Sequence, residues 1–361
     1  MAQQVAVVGA GVFGAWTAWH LQRAGAAVTL VDRWGPGHPR ASSGGESRII
    51  RMGYGADELY TRLAMRSLEL WREFGRGLFH QTAVLWIGRE NDRYSAATRD
   101  TLAHAGVRHE IVSAAELARR WPQMRFDDSG AYGIFEPGSG ALMARRAVAE
   151  VVADAVRMGA RYEISRTPPI ADVTIYACGP WLPKLFPDVL GDRIFPTRQE
   201  VFFFAPPPGD TSFAPAALPV WIDFTDPSGP YGFPDLEARG FKLAFDRHGD
   251  AFDPDTGDRR VSDRGLTEAR RFLAERFPAL ADAPLVESRV CQYENTSSGD
   301  FLIDRHPELP NTWLVGGGSG HGFKHGPAVG EYVAQRVLHG GEIEPRWQLR
   351  TKERSQHRAV W

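Results

Sequence analysis

Three observations predict an α/β fold in two domains. A strand–helix–strand pattern opens the chain at 5–31, and a strand, a glycine-rich turn and a helix return at 313–338. Between them, aromatic and β-branched runs separated by prolines read as a mainly antiparallel sheet. At 361 residues the chain also exceeds the length at which one core usually stops growing.

Taken in order, apolar 5–8 ends at Gly9, an alanine-rich helix spans 11–24, and a second strand covers 28–31. The Pro/Gly/Ser-rich stretch 35–45 is loop, and 57–74 carries Leu59, Leu63, Leu68, Leu70 and Trp71 at helical spacing. A strand at 84–87 and helices at 95–105 and 145–158 complete the first half. Strands follow at 173–177, 201–204, 220–224 and 241–245, then a helix at 263–276, a strand at 285–293, a strand at 313–315 and a helix at 328–338. The boundaries that result are a discontinuous nucleotide-binding domain over 1–80, 140–198 and 285–340, a second domain over 81–139 and 199–284, and a polar tail, 341–361, expected to be a surface appendage.

Composition excludes several classes. Hydrophobic residues at 43% and charged residues at 24% describe an ordinary globular chain, and 42 basic against 44 acidic residues leave a net charge of -2. Such a chain has no overall field to draw nucleic acid or an anionic membrane. Every apolar run is interrupted before the ~18–20 residues a bilayer requires. Cys178 and Cys291 lie far apart and form no metal or redox motif, so a reducing, cytoplasmic setting and no bound metal are expected. No export signal is read at 1–22, where the glycines have another use. Only four of the 42 basic residues are lysines (184, 242, 324 and 352), which marks Lys242 and Lys324 as positions needing a compact ammonium.

The glycines form Gly9-Ala-Gly11-Val12-Phe13-Gly14, after a strand and opening a helix, with Asp32 18 residues beyond Gly14 and Arg33 next to it. This is the Rossmann-like dinucleotide fingerprint in its required context. Gly9 permits the turn, Gly11 lets a pyrophosphate approach, Gly14 lets helix and strand pack closely, and Asp32 would accept from a ribose hydroxyl. The motif does not choose between NAD and FAD.

Three further segments narrow the choice: Ser43-Gly-Gly-Glu-Ser-Arg48-Ile-Ile-Arg51, Ala177-Cys-Gly179-Pro-Trp181, and Gly316-Gly-Gly318-Ser-Gly320-His321-Gly322-Phe323-Lys324. With Cys291-Gln-Tyr293 and Phe301-Leu-Ile-Asp304, they resemble the amine-oxidising flavoproteins related to D-amino acid oxidase, in the branch of monomeric sarcosine oxidase and N-methyltryptophan oxidase. The likeness spans residues 4 to about 340. It implies FAD, a small amino-acid-like substrate, O2 as acceptor, and a monomer.

The resemblance also assigns roles. Cys291 would form a thioether to the flavin, with Arg48 or Lys324 lowering its thiol pKa; the residue-level alternative is a buried, inert thiol, the reading kept for Cys178. Arg48 would face the ring, while Arg51 and Lys324 would share the substrate carboxylate. The two arginines would converge in a helical turn and diverge in an extended segment, and a solvated basic face is the plainer alternative. Gly44 and Gly45 suggest a close cofactor approach. Lys242 either snorkels outward or faces a polar cavity, where the resemblance makes it the group that serves oxygen. Tyr231 and Tyr293 match substrate-pocket tyrosines.

Two departures concern the substrate. Asp246 and Glu294 stand where sarcosine oxidases commonly have histidine and threonine. Facing the pocket, they would suit a substrate with a second cationic or hydroxylated group; as rim residues they would face water. The expected reaction takes a hydride from the carbon beside the nitrogen of a small, secondary or cyclic amino acid, giving an imine and, with O2, peroxide. The alternatives are an NAD-dependent dehydrogenase, a flavin-binding scaffold without turnover, and a biosynthetic flavin dehydrogenase acting on a cyclic or primary amine.

Overall fold

In the computed structural model, which describes residues 2–126 and 130–357, three sheets organise the chain. The first has six strands in the order Leu302–Arg305, Thr312–Gly316, Val173–Tyr176, Gln4–Val8, Ala27–Asp32 and Arg161–Ile164. All of its pairings are parallel except that of Leu302–Arg305 with Thr312–Gly316. Val5, Val7, Leu30, Ile175 and Val315 are buried almost completely, as expected for strands covered on both faces.

The helix Val12–Arg23 packs against this sheet and buries nine of its residues, among them Trp16 and Trp19. The last helix, Gly326–His339, crosses it at close range because Gly330 has no side chain: a Cβ there would stand 2.5 Å from the Trp16 carbonyl carbon. Residues at opposite ends of the sequence are thereby fixed over the same sheet.

The second sheet has eight strands: Leu285–Asn295, Phe195–Phe204, Phe241–Phe245, Pro230–Phe233, Val220–Asp223, Val84–Arg89, Ala131–Glu136 and Glu110–Val112. It is antiparallel apart from the parallel pairing of Val220–Asp223 with Val84–Arg89. Its core is aromatic, with Phe202, Phe204, Trp221, Phe241, Phe272 and Phe277 packed together. The third sheet joins Ser47–Ile50, Gly140–Met143 and Phe79–His80.

Two expectations need correction, and one alternative left open is decided. Leu285–Asn295, assigned to the nucleotide-binding domain, pairs along its length with Phe195–Phe204 at the edge of the eight-stranded sheet. Its alternating pattern is that of an antiparallel strand with one covered face, which sequence order alone does not allocate to a sheet. Arg48 and Arg51 lie in and just after the strand Ser47–Ile50, an extended segment that sends them apart.

The tail is also not an appendage up to residue 357; 358–361 lie outside the described residues. Trp347 is 2% exposed and packs on Phe301 and Tyr332. Arg346 donates to both oxygens of Asp57, the N-cap of the helix Glu58–Phe74, and to Asp300. Among the described residues no helix is long and apolar enough to cross a membrane, and no cluster of His, Cys, Asp and Glu could hold a metal ion.

Trp347→Ala should lower the unfolding free energy by about 3–5 kcal/mol, the cost of emptying a buried aromatic site. Urea unfolding measures it; a change within about 0.5 kcal/mol would restore the surface reading.

Candidate active site

The carboxyl ends of the parallel strands form one long cleft, where open α/β sheets present their ligand crevice. Its floor is held by backbone contacts that only glycine allows. Gly9 adopts φ +104°, and a Cβ on it would stand closer to the Ala177 carbonyl oxygen than van der Waals contact allows. A Cβ on Gly14 would collide likewise with the Gly9 carbonyl oxygen, so helix and strand touch there. Asp32 fixes the turn from the neighbouring strand: one carboxylate oxygen accepts from Ala10 N at 2.8 Å, the other from Trp34 N and Gly35 N, each at 2.8 Å. Ser43 Oγ accepts from Val12 N at 3.0 Å, capping the helix start while keeping its own proton to donate.

Along this cleft stand Asp32 and Arg33, then Gly9, Gly11, Val12 and Phe13, then Gly179 and Trp181, then Gly318, Gly320, Gly322 and Phe323. Ser43, Arg48, Cys291, Tyr293 and Glu294 complete its far end and wall. Gly14, His321 and Lys324, expected with this group, are set back from the wall: Gly14 is buried in the strand–helix contact, and the other two belong to a second cluster. At the near end Asp255 accepts from Arg33, Trp181 and Lys184, closing a loop of the second sheet onto the cleft. The sequence carried no local signal for that role of Asp255, which depends on a turn more than 200 residues from Arg33.

At the far end, Arg48 Nη2 donates to Cys291 Sγ at 3.4 Å across 243 residues of sequence. The same guanidinium donates to the carbonyls of Ser47 and Ser42 at 2.8 and 2.7 Å, which fixes its position. Gly45 makes room for this side chain, since a Cβ there would lie 2.8 Å from Arg48 Nη2, and a Cβ on Gly44 would lie 2.8 Å from the His38 carbonyl carbon. These glycines thus admit the chain's own atoms, where a close cofactor approach was expected.

Lys242 is 3% exposed and does not snorkel. Its ammonium donates to Ser47 O at 2.9 Å and Ser47 Oγ at 3.2 Å and lies 4.2 Å from the Phe233 ring centroid. Burial, reinforced by the Arg48 charge, pushes its pKa well below the usual lysine value. Cys178 donates weakly to Val8 O at 3.3 Å, and burial drives its thiol pKa up, consistent with an inert thiol.

The second cluster centres on Tyr54, which the sequence reading missed. Lys324 Nζ donates to the Tyr54 hydroxyl at 2.6 Å and to His321 O at 3.3 Å. His325 Nε2 and His321 Nδ1 lie 2.7 and 3.2 Å from the same hydroxyl. Arg51 stacks on Tyr54 and Trp86, 4.8 and 4.2 Å from their ring centroids, and donates to Gly53 O. Although Arg48 and Arg51 diverge, Arg51 and Lys324 therefore meet at one tyrosine.

The loop carrying Tyr54 is held by buried Glu136, also missed, which accepts from Met52 N, Gly53 N, Trp86 Nε1 and Ser139 Oγ. A lone glutamate at a strand end gave no warning of this role.

Tyr293 donates to Asp246 at 2.9 Å, and burial followed by the Asp246 charge pushes the Tyr231 hydroxyl, its neighbour, up to about 12. Tyr231, Tyr293 and Asp246 form one group, and half-buried Asp246 is not a simple rim residue. Glu294, expected beside them, is placed elsewhere. It is 9% exposed, accepts from Gly318 N at 3.2 Å, and is raised to about 7 by burial. Alternation along the strand turns it away from Tyr293. His248 lies in the irregular segment after the strand Phe241–Phe245, its Nδ1 2.7 Å from Gln356 Nε2.

A parallel sheet with a glycine-floored cleft at its carboxyl edge, walled by a second antiparallel sheet, defines a two-domain dinucleotide-binding protein. A family model described as FAD dependent oxidoreductase matches residues 4–336, and the chain belongs to that family. It is 32% identical to the monomeric sarcosine oxidase of Streptomyces avermitilis, over 94% of this chain and 95% of that one. It is 27% identical to the N-methyl-L-tryptophan oxidase of Salmonella heidelberg, over 94% and 95%. Among solved structures, fructosyl amine: oxygen oxidoreductase (Amadoriase I) of Aspergillus fumigatus has a TM-score of 0.80 at 20% identity, covering 96% of this chain and 89% of that one; at that identity the likeness concerns the fold.

Glu294 supplies a test of its environment. A carboxyl whose folded pKa is raised from 4.5 to about 7 adds stability that is full below pH 4.5 and lost as pH rises through 7. In flavin-free protein, the stability of wild type relative to Glu294→Gln should therefore fall by up to about 3 kcal/mol over that interval, at roughly 1.4 kcal/mol per unit. Denaturant titrations at a series of pH values measure it; a difference independent of pH would mean that the carboxyl is solvated.

Proposed function

We propose that the chain is an FAD-dependent amine oxidase that takes a hydride from the carbon beside the nitrogen of a small secondary amino acid, giving an imine and, with O2, hydrogen peroxide. The observation that carries this reading is the meeting of Arg48 and Cys291 at 3.4 Å at the far end of the dinucleotide cleft. The sarcosine and N-methyltryptophan oxidases among its relatives support the substrate class.

The residues present fit FAD: a glycine floor open to a pyrophosphate, an acid at the ribose end, a cation and a thiol at the ring end, and a buried carboxylate oxygen of Glu294 left over beside the cleft. When bound, the cofactor supplies the hydride acceptor and the route for the electron pair to O2. Asp32, Gly9, Gly11 and Ser43 would hold the nucleotide half; Arg48 would hold the ring. Cys291 Sγ would be the point of covalent attachment through a thioether, the S–H and one ring-methyl C–H bond giving up two protons and two electrons to O2 as hydrogen peroxide.

Arg51 and Lys324 converge on Tyr54, and a substrate carboxylate bound between them would be flanked by two charges of fixed direction. That pairing fixes which carbon faces the ring, the positional part of the rate enhancement. No strong base is required if the amine binds neutral. Tyr231 and Tyr293 would close the other side of the substrate, and the Asp246 carboxylate held by Tyr293 favours an N-substituent that carries a hydroxyl or a positive charge over a bare methyl. Lys242 would present positive charge where O2 is reduced.

Three measurements examine these roles. Lys242→Met should slow reoxidation by O2 at least tenfold more than anaerobic reduction by substrate; equal slowing of both would remove the assignment. Because only the ammonium form serves, wild-type reoxidation should decline as pH rises through an ionisation well below 10.5, a dependence the variant lacks. Acid-precipitated protein should give a yellow pellet, turning colourless in Cys291→Ala; a colourless wild-type pellet would leave FAD bound without the linkage.

A further inference from the structure

Four strand ends of the parallel sheet set out the cleft in order: Asp32, then Gly9 and Gly11, then Gly179, then Gly316 to Gly318, with Arg48 and Cys291 beyond. A dinucleotide laid along that line has its ribose at Asp32, its pyrophosphate at Gly9 and Gly11, and its ring at Arg48 and Cys291. The stretch between pyrophosphate and ring, which in FAD is a polyol chain, then falls on Gly179 and Gly316 to Gly318. Glu294 stands at this place.

Its Oε1 is used, accepting from Gly318 N at 3.2 Å. Its Oε2 is buried and makes no hydrogen bond of standard geometry among the described residues, the Gly317 amide standing near the carboxyl without closing one. Ideal Cβ atoms built on Gly179 and on Gly316 would each stand 3.4 Å from Oε2, so the oxygen is aimed at the gap between the two glycine turns. A buried carboxyl oxygen left without a partner is costly. Asp246, by contrast, is taken up by the Tyr293 hydroxyl.

We infer that Glu294 is a cofactor-positioning residue that hydrogen-bonds a hydroxyl of the FAD polyol chain through Oε2 while Oε1 holds the Gly318 turn. This rests on FAD occupying the cleft and goes beyond it by assigning a contact to one side chain and one part of the cofactor. A carboxyl raised to about 7 can donate its proton to that hydroxyl or accept from it, so the contact does not depend on a single protonation state. Asp246 and Glu294 thus serve different ligands: the first faces the substrate tyrosines, the second the cofactor.

The test is a cycle between protein and cofactor. FAD and its analogues lacking one ribityl hydroxyl (2′-, 3′- or 4′-deoxy) are exchanged into Cys291→Ala holoenzyme, which releases its flavin reversibly, and into the same protein carrying Glu294→Leu. Dissociation constants are read by flavin fluorescence. One deoxy analogue should bind the parent about tenfold more weakly than FAD, and that penalty should vanish in Glu294→Leu, which itself holds FAD about tenfold more weakly; a Glu294→Gln version should stay within about threefold of the parent. Such coupling reports a direct contact, whereas a general loosening of the Gly318 turn would weaken every analogue by the same factor. If leucine crowds the turns and the protein does not fold, the same cycle is run with Glu294→Ala. Equal penalties for all three deoxy analogues with and without Glu294 would overturn the assignment, and a parent that takes up no FAD would instead refute the cofactor reading beneath it.

Discussion

The structure depends on a steric constraint: at the carboxyl edge of the parallel sheet, backbone meets backbone with no space for a Cβ. Gly9 is pressed against the Ala177 carbonyl and Gly14 against the carbonyl of Gly9. With any side chain at either position, the helix Val12–Arg23 would move off the sheet and the phosphate-sized hollow at its start would be lost. Gly330 repeats the device where the last helix crosses the first, and so brings the loop of Gly316 to Lys324 over the same edge. The cleft is therefore built from both ends of the chain, and neither end would form it alone.

The same geometry explains how several buried charges coexist at the far end. Arg48, Lys242, Arg51 and Lys324 are all cations, and like charges brought together in a low-dielectric interior repel. The fold separates them into two sites. Arg48 and Lys242 share the Ser47 backbone and face Cys291; Arg51 and Lys324 share Tyr54. Carbonyls, hydroxyls and aromatic faces are among their partners, groups that hold a cation in place without neutralising it. Glu136 contributes by holding the Tyr54 loop through neutral donors.

Much of this was legible from residue order, for identifiable reasons. The glycine motif, Asp32 and the helix Asp263–Arg276 could be read because each depends on local spacing. The members of the cleft were legible as a set because three motifs share one resemblance. What stayed hidden was long-range. The sheet to which Leu285–Asn295 belongs depends on the register with Phe195–Phe204 and not on its own composition. Tyr54 and Glu136 gain their roles only when the loop after Ile50 turns under Trp86. The tail looked solvated because its polar residues are many, but burial there follows from two residues, Trp347 and Arg346, meeting Phe301, Asp57 and Asp300.

The two unusual acids show how such ambiguity is resolved. In the sequence, Asp246 and Glu294 are equivalent: carboxylates near expected pocket residues, each open to a rim or a pocket reading. Strand parity separates them. Cys291 and Tyr293 point to one side of the strand Leu285–Asn295, so Tyr293 reaches Asp246 just beyond the end of Phe241–Phe245, while Glu294 points to the other side, beneath the Gly318 turn. One residue of register in that edge strand would exchange these surroundings, placing the acid against the tyrosines and an aromatic ring against the glycine turns. The ladder to Phe195–Phe204, which fixes that register, therefore decides which acid meets the tyrosines and which meets the glycine turns.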